Sequence, residues 1–314
     1  MNIVNVTDGD TGHQSYLLSK AINEHTPHCS LSCTRKQYFD WPHDVLWREE
    51  WRGRVPEWIR AFWARADVLH IHKYRRTSYW ASYPDTAGVV IHQHGRHPNN
   101  QDDLLALDAR RGAVRVVSTL NLLEAVDWDI ERWFPRPIDL LPPREVRRSG
   151  TVRVIHCPTV RARKQTAELL EVVGSLQQAG HDIEVEVVEG VSHLECMVRK
   201  ARADILFDQL NPSYGTNALE AWAMGIPAVV GMSDRLHEFV ERAFGYAPYV
   251  RACAAEELYA ALERLIVDVD YRAGMGRVGR EYVAEWHAPK RAAEIAVRTY
   301  RHAIEVQKER REEQ

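Results

Sequence analysis

Cysteine is scarce in this chain, five residues in 314, and the number is odd. A disulfide framework is therefore not the expected source of stability, which must come from apolar packing. His25, His28, Cys29 and Cys33 lie close together, but HCSLSC alternates like a strand and no second ligand pair follows at zinc-site spacing. An excess of one charge is also missing, with 41 basic against 44 acidic side chains and a formal charge of −3. That balance argues against a dedicated nucleic-acid-binding protein and leaves room for a local basic patch. No apolar run approaches the roughly 20 residues needed to cross a bilayer. Met1–Val6 enters a strand pattern directly, without a signal-peptide profile, so the expected location is cytoplasmic. The loop after that strand, Thr7-Asp8-Gly9-Asp10-Thr11-Gly12-His13, is not G-x-G-x-x-G and does not support a nicotinamide site. Asp8–Asp10, Asp127–Asp129 and Asp268–Asp270 each read D-x-D, a motif too short to specify a metal, and a metal-free site is expected.

What the sequence has is alternation. Apolar runs of strand length recur at 2–6, 66–72, 88–95 and 114–119, with helical patterns at 14–23 and 120–125. The pattern restarts at Val152–His156 and continues through a helix at 167–179, a strand at 183–188 and a helix at 193–201. Pro-rich, basic residues 135–149 make the natural linker. The expected fold class is α/β with two Rossmann-like domains, 1–145 and 146–314, the last containing the helical run 258–303.

The densest information lies in Ala203–Gly231, ADILFDQLNPSYGTNALEAWAMGIPAVVG. It reads as strand, loop, short helix, tight turn and strand, with Thr216 or Asn217 as the helix cap and Gly225-Ile226-Pro227 as its stop. Glu220 is the only charged residue of that apolar helix, and an unpaired buried carboxylate costs several kcal/mol. Two readings stand at this point. Glu220 pairs with a local arginine in a packed βαβ unit, or it holds a ligand diol. In the second case Tyr214, Gly215 and Thr216 at the helix start offer backbone N–H groups to phosphate. Upstream, Arg161-Ala162-Arg163-Lys164-Gln165 places cations just before a helix, where they could neutralise a diphosphate. As bare sequence the same stretch is also a solvated basic turn.

These residues resemble the donor signature of GT-B glycosyltransferases, especially the retaining enzymes of the family 4 type. That family carries two glutamates eight positions apart, the second starting E-A-x-A-x-G-x-P, and Glu220–Pro227 fits every fixed position of that second half. The first glutamate, which contacts the donor sugar, would fall at 212, where this chain has Pro212. Lys164 matches the family's lysine, with Gln165 in place of the following glycine. Arg161 is the preferred arginine and Arg163 the reserve. Asp67–His72, the His94-Gly95 pair, Val114–Ala125 and Trp133–Asp139 resemble the N-terminal domain's cleft-edge elements. Met275–Arg280 and Trp286-His287 resemble the closing helices, the last of which crosses back to the first domain.

The resemblance implies a glycosyltransferase moving a sugar from a nucleotide-sugar donor, a UDP-sugar by expectation, to an acceptor hydroxyl. Retention is implied, and no metal or other cofactor is required. Glu220 would hold the ribose, Asn217 would sit beside it, and the backbone at Gly190 and Val191 would read the base. Lys164 and Arg161 would stabilise the departing diphosphate, while His94 and Gly12 line the sugar and acceptor side. Trp41, Trp47, Trp51, Trp58, Trp63 and Trp80, with Tyr38, make the first half aromatic-dense. They read as helices packing large side chains or as stacking faces for an acceptor. Lys73, Arg75, Arg76 and Arg96 leave a nucleic-acid acceptor open. A GT-B-shaped protein that binds nucleotide-sugar without turnover is the reading from another class.

Overall fold

Short apolar runs flanked by Gly, Pro and Asn become parallel strands, the central ones largely buried on both faces and the edge strand Ile183–Val187 on one. The structure is a computed structural model that describes residues 1–7, 9, 12–34, 42–46, 57–72, 84–94, 112–126, 132–211 and 213–314. The chain forms two compact units, one of residues 1–118, 126–137 and 289–314, the other of residues 119–125 and 138–288.

The first unit holds β1 (Asn2–Thr7), β2 (Cys29–Thr34), β3 (Val45–Leu46), β4 (Val68–His72), β5 (Gly88–Gln93) and β6 (Val114–Val117). They form one parallel sheet in the order β3-β2-β1-β4-β5-β6. Alternate residues divide between two cores, as the period of two requires. Ile3, Val68 and Val90 face Leu18, Ile22 and the final helix, Pro289–Glu313. Val4, Leu69, Val89 and Ile91 face Ile59 and Trp63. The final helix lies directly on β5 because Gly88 has no side chain: a Cβ there would stand 2.8 Å from the backbone of Ala303 and Ile304.

The second unit holds β7 (Val152–His156), β8 (Ile183–Val187), β9 (Ile205–Gln209), β10 (Ala228–Val230) and β11 (Val250–Arg251), parallel in the order β11-β10-β9-β7-β8. Helices Thr166–Gln178 and Ala255–Val267 close one core with Val154, Ile205, Phe207 and Val229. Elsewhere in this unit the Thr216–Ala223 helix buries Trp222 against Gly279, whose added Cβ would come within 2.3 Å of the indole. Residues 138–147 run along this unit. Arg144 bonds Asp204 at 2.6 Å, and Arg272 and Arg280 donate to the carbonyls of Arg147 and Leu141 at 2.8 and 2.6 Å.

Strand order reverses direction between β1 and β4 in the first unit and between β7 and β9 in the second. In open α/β sheets the crevice at the carboxyl ends of such strands binds ligand. Among the described residues no helix is long and apolar enough to cross a membrane.

Candidate functional site

At the carboxyl edge of the second unit a 3-10 turn, Arg161–Lys164, follows β7. Lys164 Nζ donates to Asp208 Oδ1 at 2.7 Å, and Asp208 Oδ2 accepts the Gly215 amide at 2.5 Å. The Asp208 side chain is fully buried, and that of Lys164 is 17% exposed. Gln165 stands where the resemblance has glycine, and its backbone shows why: φ is 49° and ψ 45°, the left-handed region. A glutamine is tolerated because its amide works locally. Its Oε1 accepts the Leu210 amide at 3.0 Å and its Nε2 donates to the Arg163 carbonyl at 3.1 Å.

The helix start corrects the expected cap. Gly215, not Thr216 or Asn217, is the N-cap, and no side chain caps this end. Asn217 turns inward, donating to the Cys157 carbonyl at 2.8 Å and accepting from Lys200 Nζ at 2.6 Å. Lys200 also donates to Glu220 Oε2, while Glu220 Oε1 meets His193 Nε2 at 2.9 Å. Glu220 is thus buried, 6% exposed, and paired, with a lysine and a histidine where an arginine was considered. Burial alone would lower the Lys200 pKa, but the Glu220 charge and neighbouring thiols outweigh it and raise it above its ordinary value. One of those thiols, Cys196, bonds the Cys157 thiol and is lowered to about 6 by that bond, with Lys200 helping against burial. Cys157 is pushed up correspondingly by the same bond and by burial.

Lys164, Gly215, Asn217 and Glu220 are therefore gathered at one sheet edge through Asp208 and Lys200. Arg161 is exposed and paired with Glu189 at 2.6 Å, next to Gly190, whose φ of 67° suits glycine, and half-buried Val191. Arg163 is exposed. Thr216 is half-buried. The Tyr214 side chain is a core group: its hydroxyl lies 2.5 Å from that of Tyr282, leaving only its backbone for a ligand. The loop before it is strained at Ser213, φ 86°, whose amide donates to the Gly231 carbonyl at 2.9 Å.

The first unit's carboxyl edge is built from imidazoles. Asn5 Nδ2 donates to Ser19 and Ser30 at 3.0 and 2.9 Å, so its Oδ1 faces His72 Nε2 at 3.0 Å as acceptor. His72 then donates from Nε2, and its Nδ1 lies 2.9 Å from His94 Nε2. His94 Nδ1 meets Ser118 Oγ at 3.0 Å. His70, fully buried, bonds Tyr300 at 2.8 Å, and burial with His72 and His92 beside it drives its pKa well below the ordinary value. Ring nitrogens of His70, His72 and His92 lie within 4.8 Å of one another, but the His70 ring stacks on both neighbours, at 4.2 and 5.2 Å between centroids. Stacked rings hold their lone pairs side by side rather than aimed at one ion. Half-buried Gly12 is in the same unit, where an added Cβ would stand 3.0 Å from Arg136 Nη1. Trp63 is core and Trp58 is exposed. Tyr38, Trp41, Trp47, Trp51, Lys73, Arg75, Arg76, Trp80, Gly95, Arg96, the Asp127–Asp129 triplet and Pro212 lie outside the described residues.

Sequence reasoning missed Asp208, Lys200, His193 and Ser118. Asp208 carried one available signal, a lone carboxylate closing the apolar run Ile205–Phe207.

No protein-family model matches the chain, and no curated protein sequence matches it significantly. Solved structures do. A glycosyltransferase from Rickettsia africae superposes with a TM-score of 0.64 at 13% identity, covering 96% of this chain and 98% of that one. An alpha-glucosyltransferase in complex with UDP and a 13-mer DNA containing an HMU base gives 0.62 at 10% identity, covering 95% and 99%. HepE of Anabaena, in complex with UDP and glucose, gives 0.61 at 12% identity, covering 95% and 99%. At such identities the likeness speaks for architecture, and the architecture of this chain is the GT-B fold of glycosyltransferases.

Proposed function

We propose that this protein is a glycosyltransferase that moves a sugar from a nucleotide-sugar donor to an acceptor hydroxyl, with retention and without a metal. The observation that carries the reading is the convergence of the Lys164 ammonium and the Gly215 amide on one anion, the Asp208 carboxylate, at the β7/β9 switch point, where a phosphate would take the same two donors. Glu220 lies one turn further along the same helix. A diphosphate at the first position and a ribose at the second is a nucleoside diphosphate, and a UDP-sugar is the proposed donor.

Charge grows on the diphosphate as the glycosidic bond breaks, so Lys164 acts where the transition state differs most from the ground state. Arg161 reaches the same phosphates once it releases Glu189, an exposed pair of small worth. Glu220, whose Oε2 accepts from Lys200 and whose Oε1 meets His193, would hold the ribose hydroxyls. His94 offers its face rather than a base to the reaction, because both its nitrogens are bonded within the first unit. No general base is assigned, in keeping with front-face retention, in which the leaving phosphate takes the acceptor's proton. The protein is proposed to act in the cytoplasm as two domains, 1–145 and 146–314, with the linker 138–145 running along the second and the final helix crossing back to the first.

A second reading keeps this chemistry and makes a modified nucleic-acid base the acceptor; the likeness to the glucosyltransferase solved with DNA favours it. The test is a panel of UDP-sugars with saccharide and hydroxymethylated-DNA acceptors, scoring released UDP and the anomeric configuration of product by NMR. Release of UDP with net retention supports the proposal. Binding of UDP-sugar without release under every acceptor would leave a binding protein instead. Transfer to DNA that weakens steeply with salt selects the second reading.

A further inference from the structure

Asp208 has no catalytic step in the scheme above, yet it holds the two donors assigned to the diphosphate. Its Oδ1 takes Lys164 Nζ at 2.7 Å and its Oδ2 takes the Gly215 amide at 2.5 Å. The three groups meet at one point: a Cβ on Gly215 would stand 3.1 Å from Asp208 Oδ2 and 3.4 Å from Lys164 Nζ. A carboxylate with two such donors imitates a phosphate with its lysine and its helix-start amide. The neighbouring polar groups are already committed elsewhere. His156 bonds the Phe207 carbonyl at 3.0 Å and Thr166 Oγ1 at 2.9 Å, and Gln165 bonds Leu210 and Arg163.

We infer that Asp208 is a built-in competitor for the diphosphate, a residue that sets affinity by holding Lys164 and the Gly215 amide until donor displaces it. The inference rests on the proposed donor site. When a diphosphate arrives, Lys164 turns an N–H from Asp208 to the ligand, and two like charges then stand on either side of one ammonium. That arrangement weakens the hold on every diphosphate, substrate and product alike. It matters most for the product, which lacks the sugar's contacts. As UDP leaves, Asp208 takes Lys164 back and the site is neutral again. The carboxylate thus favours release, a step that limits many transferases once chemistry is fast.

The test is Asp208→Asn in the full chain, an isosteric change that removes the charge, with Asp208→Ser as a second neutral variant should the first fold poorly. Calorimetric titration with inorganic diphosphate and with UDP is compared with wild type. Both ligands should bind about tenfold more tightly to the neutral variants, the scale of one removed like-charge contact. UDP should become the stronger product inhibitor of any donor hydrolysis. Equal or weaker binding by both folded variants would overturn the inference and make Asp208 a support for Lys164, while the donor site itself would stand on wild-type binding. If wild type and variants, folded by thermal melting, all ignore both ligands, the donor site falls and the competitor with it.

Discussion

The carboxyl edges of the two sheets come from the same kind of sequence, apolar strands ending in polar residues, but they handle polarity in opposite ways. The second unit's edge uses charge: Lys164 with Asp208 and Lys200 with Glu220, each pair holding a fully or nearly buried carboxylate. The first unit's edge links Asn5, His72, His94 and Ser118 through imidazole hydrogen bonds without a carboxylate among them, with His70 driven toward its neutral form by burial. An edge built on ion pairs suits an anionic ligand whose charge changes during reaction. An edge built on imidazole and amide groups suits a group that must be recognised by shape and hydrogen bonds, such as a sugar or acceptor. The contrast gives the proposed split, donor on the second unit and acceptor on the first, a physical basis.

The largest effect is expected at Lys200. Lys200→Met leaves Glu220 buried without its ammonium and should cost about 3–5 kcal/mol, read by denaturant unfolding. Lys200→Met with Glu220→Leu should recover much of that stability and still fail to bind UDP. Recovery of binding by the double variant would show that the pair is only structural.

Next comes Lys164. Lys164→Ala should lower turnover about 10²–10³-fold while weakening donor affinity much less, because the leaving diphosphate gains charge only as the bond breaks. Kinetics at saturating donor, on enzyme whose folding is checked by melting, separate the two. His94→Ala in the first unit should leave UDP binding unchanged, which sharpens the comparison between the edges.

In the first unit, buried His70 predicts a pH effect on stability. His70 has a folded pKa well below that of the unfolded chain, so the unfolded state takes up a proton first as pH falls. Stability supplied by neutral His70 is complete above about pH 6.5 and declines below it, by about 1.4 kcal/mol per pH unit until the folded pKa is reached. His70→Phe should flatten that decline in urea melts between pH 7 and 5. An unchanged slope would remove His70 from the account.

The smallest expected effect is at Gln165, where backbone strain and side-chain bonds oppose each other. Gln165→Gly relieves a left-handed residue and loses two hydrogen bonds, so its change in stability should be near zero. Gln165→Ala loses the bonds and keeps the strain, costing about 1 kcal/mol.

Much of this was readable before folding, for identifiable reasons. Parallel strands buried on both faces leave continuous apolar runs, so Val152–His156 and the first strand were visible with nearly their observed limits. Glu220 was visible because nothing else in its helix is charged. Its partner was not, and the helix His193–Lys200 explains why. There Leu194 and Val198 are 75% and 46% exposed while Lys200 is buried, the reverse of what an amphipathic pattern announces. The cap was misread because Asn217, a residue type that favours capping, spends its amide on Cys157 and Lys200. Asp208 was read past as the polar end of a strand, since its importance lies in Lys164 and Gly215, 44 and 7 residues away in sequence.

The central claim is that the charged edge of the second unit grips a nucleoside diphosphate through Lys164, the Gly215 amide and Glu220. Calorimetric titration of UDP into wild type and Glu220→Gln tests it most directly. The account predicts saturable one-to-one binding by wild type and a loss of about 1.5–3 kcal/mol in the variant, the worth of hydrogen bonds to a charged group. Equal affinity in the two proteins, or no binding of any nucleoside diphosphate by the folded wild type, would contradict it.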